Sequence, residues 1–450
     1  MAPLSRAHTA LAELREDLGG DVFAPGDPGY DAARTVFNGM VDRRPAVIAQ
    51  CADDADVVRA VRFGRELDLH IAIRGGGHSV AGSAVAEGAL VVDLRRMDEV
   101  TVDPVTEAVR VQGGAVMSRL DRAAQAYGLA TTGSRASTTG VGGFVLGGGS
   151  GWLDRAFGLA VDSLLGVELV TADGERVHAG ADENQELFWA LHGAGGNFGV
   201  VTALTLRLHE LPVFSVALLR YPVSAGPDVV HAFREVIGTG PDEVGGAVLY
   251  RAADGERVCA VLVTYAGGEE GLCKVAAPLL ALPHEAEAVG PLPYSEAQCL
   301  LDLPSGLRNH WSAECLAALP DDAVDAWCGC AEGMPMPSRS QHLLFPMGGA
   351  IASGPTAYPV AYQDAAWVVH PVGIWADPAD DERAIAWVRD VRAGVRPWAT
   401  GAVPLNLVGD EGPERVRAGL GVGNALRLGK VKRRWDPDNV FRFNHTIRPL

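Results

Sequence analysis

The sequence has few cysteines and no long apolar segment. Its seven cysteines are odd in number and scattered over 450 residues, unlike the paired frameworks of small secreted domains. Cys328 and Cys330 are separated by a single residue and have no second ligand pair, so a metal site is not expected. No run of about 18 uncharged apolar residues occurs, and the first residues carry charges throughout. We therefore expect a soluble, unexported, cytoplasmic protein.

Positive charge is also scarce. Lys and Arg together number 38 against 56 Asp and Glu, which gives a formal net charge of -18, and the longest basic cluster is KVKRR at residues 430–434. Phosphate backbones are bound by clustered Lys and Arg. The composition therefore argues against a nucleic-acid partner. With 48% hydrophobic residues, the chain exceeds what one hydrophobic core usually holds, and two domains are expected.

The hydrophobic pattern changes once along the chain. Residues 53–69 carry acidic caps and apolar residues at helical spacing, which predicts a helix that leads into a strand ending at Arg74. Short β runs with turn residues follow up to about residue 205, and longer β runs then alternate with helices such as that predicted at residues 377–394. We predict domains at 1–211 and 212–409, and a segment at 410–450 that returns to the first domain.

What the chain does have is glycine, 55 residues in all. Three stretches stand out: RGGGHS at 74–79, TTGVGGFVLGGGSGW at 138–152 and HGAGGNFG at 192–199. Successive exposed N–H groups form an anion-binding nest, and glycine lets a diphosphate approach the backbone closely. The stretches could instead serve only tight turns. Val145 stands where the third glycine of a Rossmann fingerprint belongs, and no P-loop occurs, so nicotinamide and nucleoside-triphosphate sites of those types are not expected.

In their order, these stretches resemble the berberine-bridge-enzyme-like oxidases of the vanillyl-alcohol-oxidase / para-cresol-methylhydroxylase superfamily, the group that includes 6-hydroxy-D-nicotine oxidase. VVDLRRM, ELFWALHGAGGNFGVVT and WDPDNVFRFNHTI carry the same resemblance, which spans almost the whole chain and is loosest between about residues 212 and 400. It implies an α+β, two-domain para-cresol-methylhydroxylase-type FAD-binding fold with an antiparallel-sheet substrate domain.

The resemblance also implies an FAD site. In the family, the Arg-Gly-Gly-Gly-His loop wraps the FAD diphosphate, and its histidine is bonded covalently to the flavin 8α-methyl carbon; here that residue is His78. The cofactor-binding residues implied are Arg74, Gly75, Gly76, Gly77, His78, Ser79, Thr138, Thr139, Gly140, Gly142, Gly143, Gly149, Val201 and Asn444.

Two further positions refine this expectation. Ala136 stands where some relatives carry a cysteine that binds the flavin a second time, so a single covalent bond to His78 is expected. Thr139 matches the position beside flavin C4a that controls access of dioxygen, and it is small enough to admit it.

Fewer residues of the sequence indicate how the substrate is bound. The parity of the strand SQHLLFPMGGA predicts that His342 and Leu344 share a face, and His342 is a candidate base toward the substrate; a histidine on the opposite surface is the alternative. Asn406 aligns with the asparagine of a family Tyr-x-Asn motif, in which Pro404 here replaces the tyrosine. An aromatic wall is predicted from these candidates: Trp152, Tyr250, Trp311 and Trp367.

These observations predict an FAD-linked oxidase of a small organic, secondary-metabolite substrate. A hydride would pass from a C–H next to oxygen or nitrogen to flavin N5, and dioxygen would be reduced to hydrogen peroxide. One alternative is a flavin-dependent cyclase or oxygenase of natural-product biosynthesis, which the Pro404 departure keeps open. Another is a catalytically silent flavin-binding protein. The expected partners are the small-molecule substrate and dioxygen, with no membrane, and the expected state is a monomer or homodimer.

Overall fold

Three larger β-sheets organise the part of the chain that the structure, a computed structural model, describes: residues 3–253, 255–355 and 358–450. The first sheet has the order β1-β2-β4-β3. Its β4 strand is parallel to both β2 and β3, and β1 is antiparallel to β2. The strands are β1 (Asp21–Phe23), β2 (Val47–Gln50), β3 (Ile71–Arg74) and β4 (Leu90–Asp93).

The second sheet is antiparallel and has five strands in the order β5-β6-β10-β8-β9, and β7 pairs separately with β11. The strands are β5 (Val100–Asp103), β6 (Ala108–Gln112), β7 (Leu129–Ala130), β8 (Leu164–Val170), β9 (Arg176–Gly180), β10 (Val200–Arg207) and β11 (His209–Glu210).

The third sheet is also antiparallel, with the order β15-β12-β14-β13-β18-β19-β16, and β17 pairs with β19 beside β16. The strands are β12 (Ser215–Tyr221), β13 (Val244–Ala253), β14 (Glu256–Tyr265), β15 (Ala286–Pro291), β16 (Arg308–Trp311), β17 (Glu314–Leu316), β18 (Gln341–Pro346) and β19 (Trp367–Trp375).

The α-helices lie around these sheets. They are α1 (Pro3–Asp17), α2 (Tyr30–Arg34), α3 (Asp54–Glu66), α4 (Met117–Gln125), α5 (Val141–Leu146), α6 (Asp154–Phe157), α7 (Gln185–Ala194), α8 (Gly226–Thr239), α9 (Glu269–Val275), α10 (Ala277–Leu280), α11 (Tyr294–Ala297), α12 (Asp321–Cys330), α13 (Ala350–Ser353), α14 (Asp381–Val395), α15 (Pro413–Leu420) and α16 (Ala425–Trp435).

Both faces of β18 and β19 in the third sheet are buried, and they belong to different cores. On the outer face, Leu344 and Val369 pack with Trp327 of α12 and Val388 of α14. On the inner face, residues such as Leu343 join a core shared with the second sheet. Successive side chains of a strand point to opposite faces. Alternate side chains of β18 and β19 therefore point toward the second sheet, and the others point toward α12 and α14.

The structure confirms the expected α+β fold class, with an antiparallel sheet in the second half of the chain. The helix predicted at residues 53–69 is α3, the strand predicted to end at Arg74 is β3, and α14 occupies the helix predicted at 377–394. None of the helices among the described residues combines the length and apolar character needed to cross a bilayer. Within the same residues, no three or more His, Cys, Asp or Glu side chains are grouped to hold a metal ion.

Candidate active site

The glycine loop after β3 forms one wall of a central cavity of about 380 Å³. Gly75, Gly76, Gly77, His78 and Ser79 all line this cavity. A Cβ on Gly76 would fall 2.4 Å from the backbone nitrogen of Gly140, so the first and second glycine stretches lie in backbone contact. Gly77 adopts a φ of 73°, a conformation that other residues adopt only with strain.

The Arg74 side chain is turned away from the cavity. Its buried guanidinium donates hydrogen bonds to the carbonyl oxygens of Ala33 and Thr35, and burial lowers its pKa to about 10. The side chain does not line the cavity. The Arg74 side chain therefore holds the glycine loop against the C-terminal end of α2 and takes no part in the cavity wall; contact of its backbone with the cofactor stays a prediction.

His78 lies at the cavity wall with one ring nitrogen engaged. Its imidazole stacks on Phe37, with ring centroids 4.1 Å apart and an interplanar angle of 19°. Its Nε2 lies 2.8 Å from Oγ1 of Thr138, whereas Nδ1 has no hydrogen-bond partner among the described residues. Burial lowers the pKa of His78 to about 4. The imidazole is therefore neutral near pH 7, and it carries a free lone pair on one nitrogen.

The second glycine stretch passes along the cavity into α5. Its cavity-lining members include Thr138, Thr139, Gly140, Gly142, Gly143 and Gly149. A Cβ on Gly143 would meet no atom within 4 Å, so this backbone faces open space. Asn406 closes over the same helix, because its Nδ2 donates to the Phe144 carbonyl at 2.7 Å.

The third glycine stretch meets the C-terminal segment at the cavity. Gly196 has a φ of 80°, and its carbonyl accepts a hydrogen bond of 2.7 Å from Nδ2 of Asn444. The buried Lys432 donates to the Asn197 carbonyl at 2.6 Å and to the Asp436 carboxylate at 2.6 Å. Val201, at the start of β10, lines the cavity nearby. Residues far apart in sequence thus form one continuous wall.

The opposite wall comes from the inner face of the third sheet. Gln341, Leu343 and Phe345 of β18 line the cavity, and so do His370 and Val372 of β19. The register explains this set, because Leu343 is paired with His370 and Gln341 with Val372. Directly paired residues of antiparallel strands share a face.

This register corrects the prediction for His342. His342 is fully buried on the outer face, where it stacks on Trp327 with centroids 4.6 Å apart, and its Nε2 lies 3.0 Å from the Trp327 carbonyl oxygen. Leu344 shares that outer face, as the parity predicted, but this face packs against helices. The prediction that His342 faces the substrate was wrong.

The aromatic wall is also smaller than predicted. Of the four candidates, only Trp311 lines the cavity, while Tyr250 and Trp367 belong to the outer core of the third sheet. Trp152 is buried behind Arg135, whose guanidinium carbon lies 4.9 Å from its ring centroid. Trp152 therefore supports the wall and does not form its surface.

His370 and Arg135 line the cavity and were missed by sequence reasoning. His370 lies in the run AAWVVHPVGIW. The face of the sheet to which it points follows from its pairing with Leu343 of β18, and the sequence does not give that register. Its Nδ1 donates to the Ser312 carbonyl oxygen at 2.7 Å, and burial lowers its pKa to about 4. Arg135 carries a buried charge, which sequence patterns do not predict.

The donor set of the cavity fits a dinucleotide with a flat ring system. Three glycine stretches supply close backbone, with Gly143 open to the cavity, and this is the arrangement that a diphosphate requires. Beyond His78, the cavity continues between Phe37, Trp311 and the third sheet. The fold and this cavity define an FAD-dependent oxidoreductase of the para-cresol-methylhydroxylase type.

Comparisons with known proteins also indicate an FAD-dependent oxidoreductase. A family model described as FAD binding domain matches residues 45–180, and one described as berberine and berberine like matches residues 410–448. (R)-6-hydroxynicotine oxidase of Paenarthrobacter nicotinovorans is 30% identical over 447 residues, which cover 96% of this chain and 97% of that protein. An uncharacterised FAD-linked oxidoreductase of Bacillus subtilis is 28% identical, with 96% and 98% covered.

Solved structures give the same result. 6-Hydroxy-D-nicotine oxidase from Arthrobacter nicotinovorans superposes with a TM-score of 0.88 at 28% identity, covering 96% of this chain and 99% of that one. A chitooligosaccharide oxidase superposes with a TM-score of 0.86 at 21% identity, covering 99% of each chain, and at that identity it indicates the fold alone. The chain belongs to the berberine-bridge-enzyme-like family of FAD-dependent oxidases.

Proposed function

We propose that this protein is a covalent-FAD oxidase of a small organic, secondary-metabolite substrate, with dioxygen as electron acceptor. The observation that carries the proposal is the meeting of three glycine stretches and His78 with the inner face of the third sheet in one cavity. FAD, when bound, accepts a hydride from the substrate and passes two electrons to dioxygen, which yields hydrogen peroxide. The protein binds, orients and shields the reactants.

His78 would hold the cofactor by a single covalent bond through Nδ1. Its neutral imidazole keeps Nε2 against Thr138 and leaves Nδ1 without a partner among the described residues. The described lining contains no cysteine, and Ala136 occupies the relevant wall. Gly75–Ser79, Gly140–Gly143 and Gly196 would provide the backbone around the diphosphate, and Asn406 and Asn444 would fix the surrounding loops.

The covalent bond is tested by acid precipitation of the purified protein. We expect the pellet to stay yellow and a flavin peptide to map to residues 74–84. His78→Ala should still fold and hold FAD by the loop N–H groups, but its flavin should be released by acid and its turnover should fall. Complete release of flavin from the wild type, or a flavinylated cysteine, contradicts the proposal.

His370 takes the place that His342 was expected to fill. Its Nδ1–H is committed to the Ser312 carbonyl oxygen, so its Nε2 carries the lone pair. Nε2 has no hydrogen-bond partner among the described residues, and the ring lines the cavity. We assign it the role of accepting the proton that a substrate hydroxyl or amine loses as hydride leaves the adjacent carbon.

Anaerobic mixing with substrate separates this function from its alternatives. An oxidase is expected to bleach its flavin, recover on exposure to air and form one hydrogen peroxide per oxidised product. A cyclised or oxygenated product would favour the cyclase or oxygenase. The observation that favours this alternative is Pro404, which replaces the tyrosine of the family motif. A flavin that no candidate substrate bleaches, although dithionite reduces it, would identify a silent flavin-binding protein.

We also propose that residues 1–211 and 410–450 form one FAD-binding unit and residues 212–409 the substrate domain. Two contacts support the return of the C-terminal segment, the hydrogen bond from Lys432 to Asn197 and the ion pair of Arg427 with Glu186 at 2.7 Å. The cytoplasmic location and the monomeric or homodimeric state stay predictions from the sequence.

A further inference from the structure

We propose that the hydroxyl of Tyr362 donates a hydrogen bond to the carbonyl-bearing ring of the bound flavin, at N1 or the C2 carbonyl oxygen, and so favours reduction of the flavin. The inference rests on the proposed attachment of FAD at His78 and adds a residue to that site. It is carried by a buried hydroxyl without a partner, by the glycine that makes room for it, and by its place along the cavity relative to His78.

Tyr362 brings an unused donor to the cavity wall. It lies in the segment between α13 and β19 and lines the cavity. The residue is 2% exposed, and its hydroxyl has no hydrogen-bond partner among the described residues. Burial raises the pKa of Tyr362, so the hydroxyl keeps its proton and can donate it. A buried hydroxyl without a partner costs free energy, and a ligand that brings an acceptor to this point removes the cost.

The hydroxyl reaches the second glycine stretch just beyond the end of α5. A Cβ on Gly148 would lie 2.1 Å from the Tyr362 hydroxyl oxygen, and Gly148 adopts a φ of 109°. A Cβ on the adjacent Gly147 would fall 1.8 Å from Oδ1 of Asn406. Glycine at both positions therefore leaves room for polar side chains from the second half of the chain.

The backbone at this point does not supply the missing acceptor. The Val145 carbonyl oxygen accepts a hydrogen bond from the N–H of Gly148 at 3.0 Å, and that of Leu146 accepts one from the N–H of Gly195 at 3.2 Å. Within the described part of the chain, the Tyr362 hydroxyl bonds to neither oxygen. The acceptor is therefore expected from a molecule bound in the cavity.

His78 and Tyr362 mark the two ends of one stretch of the cavity. His78 contacts Thr138, which precedes α5, whereas Tyr362 reaches Gly148, which follows it. The six residues of α5 span about 9 Å at the helical rise of about 1.5 Å per residue. In the flavin, the 8α-methyl carbon lies on one outer ring, and N1 and both carbonyl groups lie on the other. A flavin held at His78 and lying along α5 presents its carbonyl-bearing ring to Tyr362.

A donor in this place acts more strongly on the reduced flavin than on the oxidised one. A hydride brings two electrons and one proton to N5, so the ring gains one negative charge, which rests on N1 and the C2 carbonyl oxygen. A fixed donor aimed at a charge that develops is worth more inside a protein than in water, and hydrogen bonds to the ring are one means by which a protein tunes a flavin.

The experiment compares the flavin of the wild-type holoenzyme with that of Tyr362→Phe, which removes only the hydroxyl oxygen. The midpoint potential is measured by anaerobic titration against a reference dye. The affinity for sulfite is measured from the flavin absorbance, because sulfite adds to N5 and leaves the same negative charge on the ring. We expect Tyr362→Phe to lower the equilibrium constant of two-electron reduction about tenfold, which is a potential lower by about 30 mV, and to weaken sulfite binding about tenfold.

Tyr358→Phe is the matched control. Tyr358 lies in the same segment, but its ring stacks on His192 with centroids 3.8 Å apart and does not line the cavity. This variant should keep the potential and the sulfite affinity of the wild type. Equal losses in both variants would overturn the inference, because they would reflect the packing of the segment and not a hydroxyl at the flavin.

The inference also fails if Tyr362→Phe keeps the potential and the sulfite affinity of the wild type. A change confined to kcat/KM would then assign the hydroxyl to the substrate. Neither measurement needs a substrate or dioxygen. Release of the wild-type flavin by acid, or slow reoxidation in air, would overturn the proposed covalent oxidase, and the comparison of potentials would still decide the role of Tyr362.

Discussion

At the scale of single residues, we propose that Thr138 sets which nitrogen of His78 is left free toward the cofactor site. Its Oγ1 lies 2.8 Å from Nε2, so a proton held on Nε2 and shared with this hydroxyl leaves the lone pair on Nδ1. In the attachment that we propose, Nδ1 of His78 would hold the flavin at its 8α carbon; one C–H proton and the Nε2 proton would be lost, and dioxygen would take up the two electrons as hydrogen peroxide. We therefore propose Thr138 as a positioning residue for attachment of the flavin.

We predict that Thr138→Val, which keeps the shape and removes the hydroxyl, lowers the covalently bound fraction of FAD severalfold. Thr138→Ser retains the hydroxyl and should remain close to the wild type. The measurement is the FAD released by acid precipitation relative to total flavin, which does not depend on turnover. Full covalent attachment in Thr138→Val would remove this role.

Thr139, at the neighbouring position, is predicted to govern a different step, the reaction of the reduced flavin with dioxygen. It lines the cavity, and its hydroxyl lies 3.1 Å from that of Ser134. Replacement by Leu adds bulk where dioxygen is expected to approach, so Thr139→Leu should slow reoxidation at least tenfold and reduction by substrate much less. Stopped-flow recording of the two half-reactions separates them, with Thr139→Ser as control. If both half-reactions slow equally, the residue acts on the site as a whole and not on oxygen.

At the scale of elements, β18 and β19 show both what the sequence predicts and where it fails. The sequence pattern located β18, and the residues of the glycine stretches line the cavity as a group. The face of β18 could not be predicted, because every residue from Gln341 to Pro346 is buried. A strand buried on both sides has no alternation of polar and apolar residues, and only its pairing with β19 shows that Leu343 and His370 face inward.

Replacing His370 of β19 or His342 of β18 by Gln tests which of the two histidines faces the substrate. His370→Gln should lower kcat/KM at least about 100-fold, the usual contribution of a positioned base, and should abolish the acid limb of the pH profile. That limb is expected near pH 4, because the pKa of His370 is lowered to about 4 and the base is lost as pH falls through that value. His342→Gln should lower the melting temperature and leave kcat/KM close to wild type. The reverse pattern would return the catalytic assignment to His342.

At the scale of the whole molecule, the FAD site depends on segments that are distant in sequence. Arg74 fixes the first glycine stretch to the C-terminal end of α2, and Lys432 and Asn444 fix the third to the C-terminal segment. The resemblance named the C-terminal residues near the site. It did not indicate that a buried lysine joins them, because a lysine in the basic run KVKRR is expected on the surface.

Lys432 therefore offers a test of how the C-terminal segment supports the cofactor. Its Nζ and the Asp436 carboxylate are fully buried and 2.6 Å apart, so Lys432→Met leaves a buried carboxylate without its cation. The loss in unfolding free energy should be about 3–5 kcal/mol, and Lys432→Met with Asp436→Asn should recover part of it. In a His78→Ala background, where FAD would be held without a covalent bond, Lys432→Met should also weaken FAD binding, because the Asn197 carbonyl within the third glycine stretch loses its donor. Melting curves and FAD titration measure the two effects, with Lys430→Met, a change in the same helix, as control. A melting temperature and an FAD affinity that both match this control would show that the lysine does not join the C-terminal segment to the flavin site.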